Sequence, residues 1–374
     1  MRKQQKIDAR KQLVAAVIAD YDQRKLKRRE QELQWRLNHD FYLGRQNNII
    51  TSFDTMMTVG KQFHWQRQDS FNHIAPIIEG RLARIASEFD QSDELREQAT
   101  MWSEVCGTAF YKVVWNEGVQ VSVHSPFEIY PDNLNAQDIS EVSSLIHAKL
   151  MPVTAIKESW GTDLSQTGEE SILVLERYER PSKQRQGGRL TIVAHEVLLH
   201  DGDLPFTTQL PFIRQTSESV VGSFFGKSVV ERAIPVQRAY NTVKNRKVEF
   251  LNRMACGVLT VEEGSVDLQS LETDGLAPGK VIVYRHGTTP PQFLQTGTLP
   301  AELEREEDRL LREFETISGG GEISRSSTNT TATAMEILEV RDNRRMSRTI
   351  KSVKKAQDEI IEHIQKLAEE FGGN

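Results

Sequence analysis

The segments FFGKSVVERAIPVQRAYNTVKNRKVEFLNRMACG (224–257) and AELEREEDRLLREFETISGGGEISRSSTNTTATAME (301–336) decide the fold. In the first, Ser228 followed by Glu231 reads as a capping-box helix start. Pro235 opens or kinks a helical turn and is not expected inside one, so continuous helix is expected after it. Val236, Tyr240, Val243, Phe250 and Met254 then recur at helical spacing. About twenty residues of helix span roughly 30 Å, and Gly257 ends the run. In the second segment Leu303, Leu310, Phe314 and Ile317 share one helical face. Glu302, Glu304, Glu306, Glu307, Asp308, Glu313 and Glu315 surround it, so the returning helix is strongly acidic.

Between these helices, VLTVEEGSVDLQSLETDGLAPGKVIVYRHGTTPPQFLQTGTLP (258–300) alternates short apolar runs with Gly and Pro. That pattern predicts a few small strands and turns, too few residues for an independent core. After Ser318, Gly319-Gly320-Gly321 and EISRSSTNTTAT carry no apolar periodicity and read as a mobile loop. Thr333 with Glu336 caps the next helix. That helix, Ala334 to Phe371, places Met346, Ile350, Val353, Ile360, Ile364, Leu367 and Phe371 on one face, as packing against a neighbour requires. Arg341, Arg344, Arg348, Lys351 and Lys355 form a basic stripe along it, either a solvated face or a contact for phosphate or an acidic neighbouring subunit.

Upstream, residues 1 to about 43 show two helical patterns joined through the basic run RKLKRRE, which reads as a solvated helix face or a partner-facing patch. A helix with an isoleucine stripe (Ile74, Ile77, Ile78, Leu82, Ile85) follows over Asn72 to Phe89, and the stripe reads as core. Tyr111, Val113 and Trp115, then Val119, Val121 and Val123, alternate about Asn116-Glu117-Gly118 and predict a hairpin. Further strands are expected at Ser144 to Leu150, Ile172 to Arg177 and Leu190 to Leu199, with a short helix at Val153 to Trp160. The fold class is α+β with antiparallel strands, and no internal repeat is present.

Those residues carry a family resemblance. The phrase FFGKSVVERAIPVQRAYNTVKN resembles the aromatic-Gly-x-Ser approach to the first stem helix of the portal proteins of tailed double-stranded DNA bacteriophages. FNHIAPIIEGRLARIA, GTAFYKVVWNEG and HSPFEIYPD resemble the family's Asn-x-Ile-x-Pro helix, its Gly-x-x-Phe-x-Lys-Val-x-Trp strand and its Pro-x-x-Phe/Ile-x-x-Asp turn, so the likeness runs from about Asn72 onward. It implies a portal-type fold: a mixed wing domain (1–230), a first stem helix (231–257), a small α/β clip (258–300), a second stem helix (301–318), a tunnel loop (319–333) and a long helix returning to wing or crown (334–374). Many family members continue into a crown, whereas this chain stops at FGGN, implying a minimal crown or a shortened chain.

The implied function is a head-tail connector: a homo-oligomeric ring, a dodecamer by resemblance, at one capsid vertex of the virion. Its channel would pass double-stranded DNA during packaging and ejection. Its partners would be the packaging ATPase (terminase), adaptor and tail proteins, and the major capsid and scaffolding proteins, with assembly in the host cytoplasm. The tunnel loop would present Gly319, Gly320, Gly321, Glu322, Ser324, Arg325, Ser326, Ser327 and Asn329 to DNA. In the stem, Arg238, Lys244, Arg246, Lys247 and Arg253 would face acidic Glu304, Glu307 and Asp308 across subunits. Arg341, Arg344 and Arg348 are candidates for phosphate or inter-subunit contact.

Bulk properties bound the alternatives. With 374 residues and 38% hydrophobic content the chain can bury a sizeable core. Its net charge of −6 lacks the basic footprint of a static DNA binder. A conduit needs weakly repelling walls instead, although a solvated or subunit-paired face accounts equally for the acidic helix. The longest apolar run, Leu13 to Ala19, is far short of the ~20 residues of a membrane span, so no membrane partner is expected. MRKQQK is followed by no small-residue cleavage site and reads as no export signal. Cys106 and Cys256 are the only cysteines, which excludes a disulfide framework and is expected to leave both as buried thiols.

Catalytic readings fail on spacing. His195 and His200 stand five apart, where a helical zinc-protease motif needs four, and their surroundings are strand-like. Gly319-Gly320-Gly321 lacks the downstream Lys-Ser/Thr of a phosphate loop. Asn329-Thr330-Thr331 is a glycosylation sequon, irrelevant without export. No metal, cofactor or active site is expected, and the chain reads as no enzyme. A different virion ring or adaptor would lack the helix-insert-helix-loop order, and a DNA-processing enzyme would need clustered acidic metal ligands.

Overall fold

The computed structural model describes residues 2–45, 72–87, 93–183, 185–205, 210–256, 258–267, 269, 281–294, 299–318 and 332–371. Two compact units divide the chain: residues 1–47, 69–237 and 313–374 form the larger, and 48–68 with 238–312 the smaller.

The larger unit is α+β. Helices α1 (Arg2–Lys27) and α2 (Arg29–Tyr42) open it, followed by α3 (Ile74–Ser87) and α4 (Glu94–Cys106). Strands β1 (Thr108–Trp115) and β2 (Val119–His124) form the expected hairpin, with Trp115 opposite Val119. Glu117 (φ 53°) and Gly118 (φ 146°) take up the turn. Strand β8 (Phe212–Thr216) joins the other side of β1, giving an antiparallel sheet of order β2-β1-β8.

A second antiparallel sheet runs β3 (Ile129–Pro131), β4 (Ser144–Pro152), β5 (Ser171–Glu179), β6 (Arg189–Ala194), β7 (Val197–Gly202), in sequence order. Helix α5 (Val153–Trp160) interrupts it where the sequence predicts, closed by left-handed Gly161 (φ 67°). The single strand expected over Leu190 to Leu199 is corrected: β6 and β7 form a hairpin that turns at His195-Glu196, with His195 at φ 52°. The turn falls on the polar pair that interrupts the apolar run, with His195 in the left-handed region that histidine enters more readily than most non-glycine residues.

Both sheets are covered by helices. Val14, Val17 and Tyr21 of α1 pack on Tyr130, Ile146, Ala148, Leu175 and Val193 of the five-stranded sheet. Ala356 and Leu367 of the last helix, α8 (Ala332–Phe371), meet Ala99 of α4 with Ala109, Tyr111, Val113 and Ile213 of the other. Phe371 stacks on Trp115 at 5.9 Å. The apolar stripe of α8 thus finds its partner in its own chain. Helix α8 begins at Ala332, so Thr333 lies inside its first turn and not before it.

The basic run between α1 and α2 is neither a solvated face nor an exposed patch at Arg24 and Arg28. Arg24 donates to the carbonyls of Tyr130 and Ser144, and Arg28, 1% exposed, donates to those of Pro126, Phe127 and Ile129. The Arg28 guanidinium lies 3.4 Å from the Tyr130 ring centre. Five donors in a rigid fork let arginine satisfy a cluster of carbonyls that lysine could not.

Helix α6 (Val229–Cys256) corrects the expectation for Pro235, which sits inside it. The lost bond from Pro235 to the Glu231 carbonyl is tolerated because Pro235 faces solvent, where water can serve that carbonyl. Ser228 caps the helix by accepting from the Val230 N–H at 2.9 Å. From Arg238 onward α6 belongs to the smaller unit, with β9 (Val258–Thr260), its antiparallel partner β10 (Gln292–Leu294) and α7 (Ala301–Ser318) up to Arg312.

Candidate functional site

In the smaller unit, the basic side of α6 meets the acidic side of α7. Lys244 and Lys247, about one turn apart, both reach Glu307. The Lys247 contact is 3.3 Å, with Glu304 a further 3.9 Å partner. The Tyr240 hydroxyl donates to Glu307 at 3.5 Å, and the Lys244 ammonium lies 5.4 Å from the Tyr240 ring centre. Burial pushes the Glu307 carboxyl up, but bonds and charge from Lys244 and then Lys247 outweigh it and hold the group below its ordinary value. Burial likewise opposes the Lys244 charge, yet Glu307 and Tyr240 raise its pKa overall. Opposite charges on the two helices are therefore neutralised within one chain.

Of the other stem candidates, Arg238, Arg246 and Asp308 are exposed. The side chain of Arg253 lies outside the described residues, as do Gly319, Gly320, Gly321, Glu322, Ser324, Arg325, Ser326, Ser327 and Asn329 and the side chains of Arg341 and Arg344. Arg348 is exposed and lies 3.7 Å from Glu218, which also pairs with Arg232 at 3.1 Å. Further along α8, Lys355 contacts Asp138 at 2.9 Å and Glu359 at 3.2 Å. Two positions of the basic stripe are thus engaged with carboxylates of the same chain.

Where α6 enters the larger unit, a buried polar cluster joins distant segments. Arg81 of α3 meets Glu104 of α4 at 2.5 Å, and both are buried. Glu104 also accepts from Ser217, and its backbone carbonyl accepts from the α6 cap Ser228. Arg81 donates to Thr349 of α8 at 3.3 Å. Only Ser228 was singled out by sequence, as a helix cap; Arg81, Glu104, Ser217 and Thr349 were not, because a polar residue carries no periodic signal of burial.

A second network crosses between the sheets. His124 at the end of β2, Glu128 in the short 3-10 turn Pro126–Glu128 and His147 in β4 converge. Behind them Glu176 accepts from Lys112 and from the Tyr178 hydroxyl. The two histidines weighed and set aside on spacing lie elsewhere: His195 is in the β6–β7 turn and His200 is exposed on β7. Cys106 is a buried free thiol whose pKa is pushed up by burial, so it is no nucleophile.

Helix α6, a small two-stranded insert, acidic α7 and long α8 thus follow one another along the chain. The family model described as Phage P22-like portal protein matches residues 162–371, which span all of these elements. The chain belongs to that family, and it is a phage portal protein. A search of the curated proteins finds no match to it. Membership implies a structural component of the virion capsid, a ring oligomer for DNA packaging with capsid, terminase and tail partners. Among the described residues, no helix is long and apolar enough to cross a membrane.

Proposed function

We propose that twelve copies of this portal subunit close a ring at one capsid vertex, with the smaller unit as stem and clip around the DNA channel. Residues 1–230 serve as the wing, 231–257 and 301–318 as the stem, 258–300 as the clip and 319–333 as the tunnel loop. The helix of residues 334–374 returns to the wing. The observation that carries this reading is the compact unit 238–312, in which Lys244 and Lys247 are matched by Glu304 and Glu307. Pairing within the chain removes fixed cations that would grip phosphate, while Arg246 and Asp308 lie on exposed faces that a neighbouring copy could meet. Ring closure needs two different complementary surfaces on each subunit, which opposite charges on exposed faces supply.

The clip meets the packaging ATPase and later the adaptor, while the ATPase supplies the energy that moves the DNA. Negative-stain imaging of the purified chain tests this directly. Rings with a central hole are expected, and persistent monomers at high protein concentration would overturn the proposal.

A further inference from the structure

We infer that His124, Glu128 and His147 form a binding site for a divalent cation of the zinc class, a clasp between the two large sheets. His124 ends β2 of the three-stranded sheet, His147 lies in β4 of the five-stranded sheet, and Glu128 sits in the turn between them. The three inward atoms are mutually close. His124 Nδ1 lies 2.7 Å from Glu128 Oε2 and 3.2 Å from His147 Nε2, and the last two ligand groups are 3.5 Å apart. Two ligands bound to one tetrahedral zinc at its usual bond lengths stand about 3.4 Å apart, so the triangle needs little adjustment.

The outward nitrogens explain why a cation is wanted. His147 Nδ1 faces Glu176 Oε2 at 3.0 Å, and His124 Nε2 faces the Ser122 hydroxyl at 2.9 Å. Glu176 is already held by Lys112 and Tyr178, so it acts as an acceptor and fixes the His147 proton on Nδ1. Lys112 also approaches His147 Nδ1, but at the longer 3.4 Å. His147 thus turns a bare Nε2 lone pair toward His124 and Glu128, and His124 Nδ1 does the same when its proton sits on Nε2 and is donated to the Ser122 hydroxyl. In that tautomer three acceptors are in contact, the arrangement that a positive centre among them relieves.

A proton could serve, giving one imidazolium, but the outer shell favours a metal. A ligating histidine characteristically donates its other N–H to a carboxylate, which orients the ring and raises its basicity. The His147–Glu176 pair has that form. Two imidazole nitrogens with one carboxylate suit zinc and its neighbours and do not suit the oxygen-seeking magnesium or calcium. Glu128 is a third exposed, so water can reach the fourth position. Its other oxygen, Oε1, accepts from Ser125 at 3.0 Å and is held in place.

Metal content and calorimetric titration of the full chain, stripped with chelator and refilled with zinc, test the site. One zinc per subunit is expected, and cobalt in its place gives visible absorption bands. His124→Gln and Glu128→Gln each weaken zinc binding at least tenfold, and Glu176→Gln weakens it about 10- to 100-fold. His200→Gln, on the exposed side of β7, leaves binding unchanged. His147 is fully buried and its variants risk unfolding, so the weight falls on His124→Gln, checked for native circular dichroism. Zinc raises the melting temperature of the parent and not of that variant. No stoichiometric zinc in the folded parent, or equal binding by folded His124→Gln, overturns the proposal and leaves a proton-bridged network.

Discussion

Gly107 and Gly226 meet backbone to backbone: a Cβ built on Gly226 would lie 2.5 Å from the Gly107 carbonyl oxygen and 2.7 Å from that of Glu218. Gly107 in turn ends α4 in the left-handed region at φ 89°, and its N–H bonds the Ser103 carbonyl. This close approach places Ser228 to cap α6 and lets it bond the Glu104 carbonyl. It supplies a physical reason for the aromatic-Gly-x-Ser phrase at 225–228. Phe225 packs edge-on to Trp35 and Phe110, Gly226 admits the crossing, and Ser228 starts the helix.

Gly226→Ala is therefore expected to destabilise the larger unit by about 1–3 kcal/mol or more, since backbone atoms cannot move aside as a side chain would. Gly80→Ala in α3 is the control. Nothing lies within 4 Å of a Cβ there, so the change is neutral or stabilising by up to about 1 kcal/mol. Urea unfolding midpoints check both, and equal effects would refute the crossing as the cause.

What the sequence disclosed followed periodicity. The 108–124 hairpin, helix α5 and the helix-insert-helix order were legible because apolar residues recur at period 2 or 3.6 and Gly or Pro marks the breaks. Helix α4 was not read: its apolar positions Leu95, Ala99, Trp102 and Cys106 are interleaved with Arg96, Thr100, Ser103 and Glu104, which are buried as well and blur the contrast between faces. Strand β8 was missed because its partner β1 lies about a hundred residues earlier, a distance local pattern cannot bridge. The histidine pair at 124 and 147 is hidden for the same reason, while His195 and His200 attracted notice only by being close in sequence.

The buried pair Arg81–Glu104 predicts a large asymmetry between single and double variants. Removing either charge alone leaves its partner buried without compensation, at a cost of about 3–5 kcal/mol. Arg81→Met with Glu104→Met removes both, and it should recover most of that loss, although Ser217 and Thr349 then lose a partner. Denaturant titration of the two single variants and the double variant reads the coupling directly. Additive losses would show that the ion pair is not the source.

Glu307 predicts an acid dependence in the smaller unit. Its folded pKa is depressed, so its contribution is present above the unfolded value of about 4.3 and is lost as pH falls through the folded value. Lys244 has a raised folded pKa, so its contribution is complete below about 10.4 and is lost only as pH rises through the folded value. At neutral pH both are present. Glu307→Gln should cost about 0.5–1 kcal/mol at pH 7, a figure suited to a partly screened pair, and little at pH 3. Thermal melts across that range check the convergence. A constant difference between parent and variant would place the stabilisation elsewhere.

The segment between Ser318 and Ala332 predicts a separation of assembly from DNA handling. Its anchors, the end of α7 and the start of α8, are helical, while residues 319–331 contain only Glu322 and Arg325 as charged groups. Hydroxyls and amides interact with phosphate weakly, and a single arginine per copy adds little counterion release. Such a ring of groups would retard DNA without holding it, in keeping with a channel that must pass the genome both ways. Deleting Ser324 to Thr331 is expected to leave rings intact in negative stain while lowering the DNA packaged or retained per particle. Arg325→Ala should give a smaller defect in the same direction, largest at low salt where phosphate attraction is least screened. Loss of rings on deletion would assign the segment to assembly, and unchanged packaging would remove it from the DNA path.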